Sequence, residues 1–397
     1  MLSDTHKLRN VLILAGDADG NLGDAAIARA TCDALRRYNP NVIIHAVSSA
    51  TELDHRSIAD VIIPKGIQGL PALIRSARIS DLVLCGGGGL FQDDDSLIKM
   101  PYWAARLLFV RLFSRRIAGY SIGAGPLQAK TSRFAGRIAL SCLDPISVRD
   151  HRAHETLQPL TTKTVHVIPD PALLLAPGSN EQAKSLLEMN GVPMDGRPLI
   201  GVALRQWFHK GRTWIPYQYA YKLGLNKTRG QKQCDQMIDL VAKALDKLSA
   251  QTGAFFVFLP TYNVAHENDA DICQRTIGQM HSGNAALIHI NDPRLYQAVL
   301  SHMQLMLTAR MHPAILAAGV GVPAIGLAYN QKFRGFFSLI GREDAVIPLD
   351  HFVAANDVDA LVLRMSQTLQ SRNDLTSTVG DLRNRLNQFN EALFSRT

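Results

Sequence analysis

Arg310 and His312 stand two residues apart between apolar runs, in TARMHPAILAAGVGVPAIG. An arginine offers a planar fork of N–H donors shaped for carboxylate or phosphate, and a histidine exchanges a proton near neutral pH. Where a strand turns into a helix, free backbone N–H groups add to the same field, and Pro313 suits the first helical turn. The pair therefore fits a site that holds an anion and moves a proton. The plainer reading is an arginine–carboxylate tie beside a capping histidine.

Arg205, at the end of LIGVALR, also follows a predicted strand. Two arginines leaving parallel strands toward one cleft make an anion clamp, of a size for a small dianion or trianion such as phosphoenolpyruvate. LPTYNVAHENDAD adds His266, Glu267 and Asp269 at the same edge, and GLAYNQKFRGF adds Tyr329, Asn330, Lys332 and Arg334. Lys332 reads as a further phosphate contact or as a solvated amine.

Glycine loops supply the opposing wall. In GDADGNLGDAAIARA, Gly16, Gly20 and Gly23 let the chain turn from strand to helix, and Asn21 and Asp24 either cap that helix or touch a ligand. The loop is neither a dinucleotide fingerprint nor a Walker A loop. In CGGGGLFQDDD, Gly88 and Gly89 bring backbone close to something that side chains would exclude. Asp93, Asp94 and Asp95 follow as a base for a hydroxyl group or as a solvated acidic corner. No histidine is spaced to complete a metal site with them. SIGAGP shapes the cleft floor, and Asp170 in VIPDPALLL serves a hinge, an interdomain cap or the chemistry.

The elements that must carry these residues are legible from periodicity. Short unalternating β-branched runs (VLILAG, NVIIHAV, DVIIP, DLVLCGG, IAGYSIG, PISVRD, VHVIPD) alternate with helix-length amphipathic stretches. The rhythm pauses near LLAPGSNEQ and resumes with LIGVALR, AFFVFLP, ALIHIND, LMLTA and PAIGLAY. The fold class is α/β, with two doubly wound, Rossmann-like domains facing a cleft. The expected division is residues 1–176 and 177–370, the second carrying the two arginines. Residues 371–397 form a helical tail, and the last forty or so residues read as two amphipathic helices.

At 397 residues, with 47% apolar and 19% charged side chains, the chain is an ordinary globular one. Its net charge of +8 suits anionic partners: phosphorylated metabolites, a membrane surface or nucleic acid. The cations are spread without a compact recognition motif, which argues against nucleic acid, and RLFSRRIAG reads as a solvated helix face. Five scattered cysteines lack a C-x-x-C pair and fit a reducing compartment. Neither a signal peptide nor a spanning helix is expected, so the chain reads as cytoplasmic, with any membrane contact peripheral at the inner face.

The ordered set GNLGDAAI, GGGGLFQDD, SIGAGP, SVRD, PDPALLL, GVALR and RMHPAILAAGVGVPAIGLAYNQKFRGF resembles the polysaccharide pyruvyltransferase family, from about Gly16 to Phe336. The resemblance implies a two-domain architecture like that of GT-B glycosyltransferases, with residues 1–176 on the acceptor side and 177–370 on the phosphoenolpyruvate side. It implies transfer of the pyruvyl group of phosphoenolpyruvate to a hydroxyl pair of a cell-surface polysaccharide or its lipid-linked precursor, giving a pyruvate ketal and phosphate without a cofactor or metal. The family's arginine–leucine–histidine element falls on Arg310, Met311 and His312, its earlier donor-binding arginine on Arg205, and its acidic residue on Asp93, with Asp94 as rival. His312 is then the general acid or phosphate partner and Asp93 the base, or the reverse. The chain departs from the family at Met311, Pro313 and Asn330, and residues 206–231 match no family element. A glycosyltransferase using a nucleotide sugar and a non-catalytic glycan-binding protein are the alternatives.

Overall fold

The apolar runs become strands because both of their faces are buried, as parallel sheets under crossover helices require. The computed structural model describes residues 7–14, 21–48, 58–94, 96–207, 223–224, 230–264, 267–329, 331–371 and 375–395, the side chains of 263, 264, 331 and 332 excepted. The first half contains β1 (Asn10–Ile13), β2 (Ile43–Ser48), β3 (Val61–Pro64), β4 (Leu82–Phe91), β5 (Ile117–Ala124), β6 (Ile146–Val148) and β7 (Val165–Val167). They pair in parallel in the order β3-β2-β1-β4-β5-β6-β7.

The second half continues with β8 (Leu199–Ala203), β9 (Phe255–Phe258), a short antiparallel hairpin of β10 (Asn263–Val264) and β11 (Glu267–Asn268), then β12 (Ala285–Leu287), β13 (Leu305–Thr308), β14 (Ala324–Ala328) and β15 (Val346–Pro348). Leaving the hairpin aside, they form a parallel sheet ordered β12-β9-β8-β13-β14-β15. In such sheets the crevice opens where the strand order reverses, here between β1 and β4 and between β8 and β13. Arg205 stands two residues beyond β8 and Arg310 two beyond β13, so both guanidinium groups emerge at the same switch point.

Successive residues of a strand enter opposite cores. Leu12 and Leu14 join one cluster of the first sheet and Val11 and Ile13 the other, while Ile200 and Val202 are separated in the same way from Leu199 and Ala203. The first helix, Leu22–Tyr38, belongs to both halves. Its Leu22, Ala26, Ile27 and Ala30 pack with Ala314 and Ile315 of the second half, whereas Cys32 and Leu35 pack with β1.

The end of the chain forms helices Val358–Gln370 and Thr376–Phe394, and the second returns to the first sheet. Tyr120 donates its hydroxyl to Asn390 Oδ1 at 2.7 Å, and Asn39 Nδ2 donates to the Phe394 carbonyl at 3.0 Å. Arg383 donates to the Leu173 carbonyl at 2.9 Å and to that of Gly319 at 2.6 Å, binding both halves. Among the described residues no helix is long and apolar enough to cross a membrane.

Candidate active site

Arg205 and Arg310 converge, but on two carboxylates. Both donate through Nη2 to Oε1 of Glu267 on the hairpin, Arg310 at 2.8 Å. Arg310 also grips Asp269 with Nε at 3.0 Å and Nη2 at 2.5 Å. Asp269 is fully buried and accepts in turn from the Tyr262 N–H at 3.0 Å. Burial works against the Arg310 charge, and Asp269 and Glu267 more than offset it, raising its pKa. The expected clamp is therefore a charge-balanced quartet rather than an open pair of cations. Aromatic rings line it: Arg205 lies 4.1 Å above the Tyr329 ring and Arg310 5.1 Å from that of Tyr262. The Arg205 Nε has no hydrogen-bond partner.

His312 follows Arg310 into the first turn of helix Met311–Gly319, while Met311 turns into the core. The imidazole crosses to the first half of the chain and lies against Gly23, where an added Cβ would meet its Nδ1 at 2.0 Å. Its Nε2 points toward Asp170 Oδ2 at 3.9 Å, and Arg149 Nη1 lies 3.6 Å from the same oxygen. Arg149 is only 4% exposed, with Nε 3.7 Å from Asp150. Arg149 Nε, Asp170 Oδ2 and His312 Nε2 are all buried without a hydrogen-bond partner. Buried polar atoms are nearly always paired, because an unmet one costs about 1–3 kcal/mol. Three at one junction leave hydrogen-bonding capacity unmet there. Burial, opposed by Asp170 and reinforced by Arg149 and Arg310, pushes the His312 pKa down to about 4, so the ring is neutral at pH 7.

Glycine forms the floor of this junction. Gly87 and Gly88 on β4 have φ of +78° and +119°, conformations that other residues rarely adopt. A Cβ on Gly123 of β5 would fall 2.8 Å from the Arg149 guanidinium carbon, and one on Gly88 would sit 3.5 Å from Asp24 Oδ1. Gly89 pairs with Gly123. Asn21 caps the first helix, accepting from the Gly23 N–H at 3.0 Å, and its Nδ2 holds Asp24 at 2.9 Å. Asn21 also pairs with Tyr262, and the Leu22 N–H donates to the Thr261 carbonyl at 3.0 Å, closing the first helix onto the second half. Capping and cleft lining thus coincide at Asn21 and Asp24.

Asp93 requires a correction. Its carboxylate is fully buried and accepts from the N–H groups of Gln128 at 3.1 Å and Ala129 at 2.9 Å. It pins the turn before helix Lys130–Ser141, with no face open to a sugar hydroxyl. Asp94 is half-buried, with an unpartnered Oδ1. Lys332 falls in helix Gln331–Leu339, its side chain outside the described residues, as are Gly16, Gly20, Asp95, His266, Asn330 and most of 206–231. Among the described residues no histidine, cysteine and carboxylate group is arranged for a metal.

Sequence reasoning missed Arg149, because SVRD gives no sign that its guanidinium turns inward. Asp170 keeps a capping role, accepting from Ala172 at 3.0 Å, and adds a contact in the junction. Beside it, Asp150 abuts Gly335, and a cavity of about 400 Å³ opens there between His151, Arg152, Glu155, Arg334 and Glu343.

A family model described as polysaccharide pyruvyl transferase matches residues 21–331. No curated protein matches the chain. Solved structures similar to it include a UDP-GlcNAc 2-epimerase from Methanocaldococcus jannaschii (TM-score 0.61, 10% identity, 97% of this chain and 98% of that one). A UDP-GlcNAc 2-epimerase from Neisseria meningitidis, bound to UDP-GlcNAc, gives a TM-score of 0.58 at 12% identity over 97% and 99% of the two chains. The sucrose-phosphate synthase of Thermosynechococcus elongatus gives 0.52 at 12% over 97% and 95%. At these identities the likeness carries the fold alone, two Rossmann-like domains about a cleft in the GT-B manner.

Proposed function

The chain belongs to the polysaccharide pyruvyl transferase family, and on that premise we propose that phosphoenolpyruvate binds between His312, Arg149 and the Arg205–Arg310 pair. The observation that carries this reading is the unmet hydrogen-bonding demand of Arg149 Nε and His312 Nε2 at a glycine-lined junction of the two halves. A carboxylate and a phosphate supply the acceptors those groups lack. The helix start at Met311, which no side chain caps, adds its N–H groups.

His312 is the proton carrier. A dianionic donor beside it favours the imidazolium, so the donor brings in the proton that the free site refuses. Its transfer to the methylene carbon of phosphoenolpyruvate leaves the adjacent carbon electrophilic, and a sugar hydroxyl adds there. Phosphate then departs and a second hydroxyl closes the ketal. Of the two protons lost by the hydroxyls, one replaces that spent on the methyl group and the other leaves with phosphate. Asp24, held by Asn21 and facing Gly88, takes the role of hydroxyl base in place of the buried Asp93. Asp170 is a positioning residue for His312. Glu267 and Asp269 orient the two arginines until the donor competes for them. The polar cavity beside Asp150 suits the sugar of the acceptor.

Thermal unfolding with candidate donors tests this, because a ligand stabilises only the state that binds it. Phosphoenolpyruvate should raise the melting temperature and a nucleotide sugar should not, and Arg149→Met and Arg310→Ala should each abolish the shift. Absence of a shift with phosphoenolpyruvate, or a nucleotide-sugar shift that those substitutions remove, defeats the assignment.

A further inference from the structure

The charge of this chain is unevenly placed. Residues 96–143 contain eight lysines and arginines and no aspartate or glutamate. The whole chain has 42 basic and 34 acidic residues, so everything outside this segment balances at 34 of each. The entire net charge of +8 belongs to one stretch of 48 residues.

That stretch folds into β5 and two neighbouring helices, Lys99–Arg111 and Lys130–Ser141, packed on one another over the first sheet. The inner sides are ordinary core, with Met100, Trp103 and Leu107 against Ala135 and Ala139. The outer sides are not the solvated faces expected of an arginine-rich segment. Tyr102 and Leu108 are about half exposed, Leu112 is 76% exposed and Phe134 64%. Leu108 and Leu112, four residues apart, lie side by side at the end of the first of these helices, and Tyr102 is exposed near its start, about a third of a turn round from them. Exposed Arg111, Arg115 and Arg133 stand among them. Arg106 bonds the Tyr102 hydroxyl at 2.7 Å and lies 5.5 Å from the Trp103 ring, keeping its cation on the aromatic surface.

We propose that this two-helix face docks the enzyme on a lipid bilayer bearing anionic headgroups, with Tyr102, Leu108, Leu112 and Phe134 entering the interface and the arginines engaging phosphate. Interfacial binding needs this combination: apolar side chains to bury, and long cationic ones whose stems stay apolar while their heads reach the headgroups. A second copy of the chain would bring like charge against like. Nucleic acid would answer the arginines and leave the aliphatic side chains in water. Both helices begin at the carboxyl edge of the first sheet, the edge that carries the glycine run, so docking holds the cleft beside the membrane surface.

The test is co-sedimentation of the full chain, without substrates, on phosphatidylcholine vesicles with and without phosphatidylglycerol. Wild-type protein should pellet with the anionic vesicles, stay in solution with the neutral ones and be released as salt is raised. Arg111→Glu with Arg115→Glu should lower partitioning by about tenfold or more, at a few-fold per cation near the surface. Leu112→Ser with Phe134→Ser should lower it at low salt as well, and all variants should melt where the wild type does. Protein that ignores anionic vesicles, binds neutral ones equally, binds an acidic polymer instead, or is indifferent to both pairs of substitutions overturns the proposal. Donor-induced thermal shifts do not enter this readout, so the two proposals fail separately.

Discussion

His312 and Gly23 come from opposite halves of the chain and touch face to face, with no room between them for even a methyl group: a Cβ on Gly23 would lie 2.0 Å from the imidazole Nδ1. The start of the first helix is therefore the surface against which the proton carrier is set.

Gly23→Ala tests that seating. In the first turn of the helix the gain in propensity is small, and the added methyl overlaps the imidazole ring, so some stability should be lost and the rate is compared for the folded fraction. The ring must move by an ångström or more, a displacement that costs about a hundredfold in rate where geometry governs reaction. Turnover should fall by about that factor, with donor-dependent phosphate release as the measurement and the melting temperature as the control. A variant of normal rate would show that His312 works from some other position.

His312 also makes stability depend on pH. Its folded pKa of about 4 lies below the ordinary value of 6.5. Between these values the unfolded chain binds a proton that the folded one excludes, so stability falls as pH drops from about 6.5 toward 4. The contribution is at most on the order of 3 kcal/mol, since each unit is worth about 1.4 kcal/mol. His312→Gln should flatten this part of the curve in urea titrations at pH 7.5 and pH 5. An identical slope in the variant would place the sensitivity elsewhere.

Asp93 should behave as a structural residue. Asp93→Ala removes the acceptor of two backbone N–H groups and should cost about 2–4 kcal/mol in denaturant unfolding, while the folded fraction keeps its rate within a few-fold. A stable but inactive variant would restore it as the base.

Most of the architecture was legible because buried parallel strands leave compact β-branched runs that few other structures produce. The elements missed were those without such a signal: the three-residue edge strand β15 and the hairpin that carries Glu267. The site was harder. Arg310 and His312 were marked by their place after a strand, but nothing local to Asp93 reveals that N–H groups 35 and 36 residues further along occupy it. Nor does the sequence around Arg205 disclose that Glu267 neutralises it, because that pairing is made across 62 residues.

The final helix puts a condition on how the halves can move. Asn390 ties it to the first sheet and the Phe394 carbonyl to the end of the first helix, while Arg383 is fastened at once to the connecting turn and to the end of the His312 helix. The polypeptide thus leaves the first half, builds the second and comes back to lock itself, like a hoop closed on its own start. A hinge free at one side could gape. A hooped one carries the strain of opening to both ends of the final helix, so cutting the hoop between the last two helices should loosen both halves together.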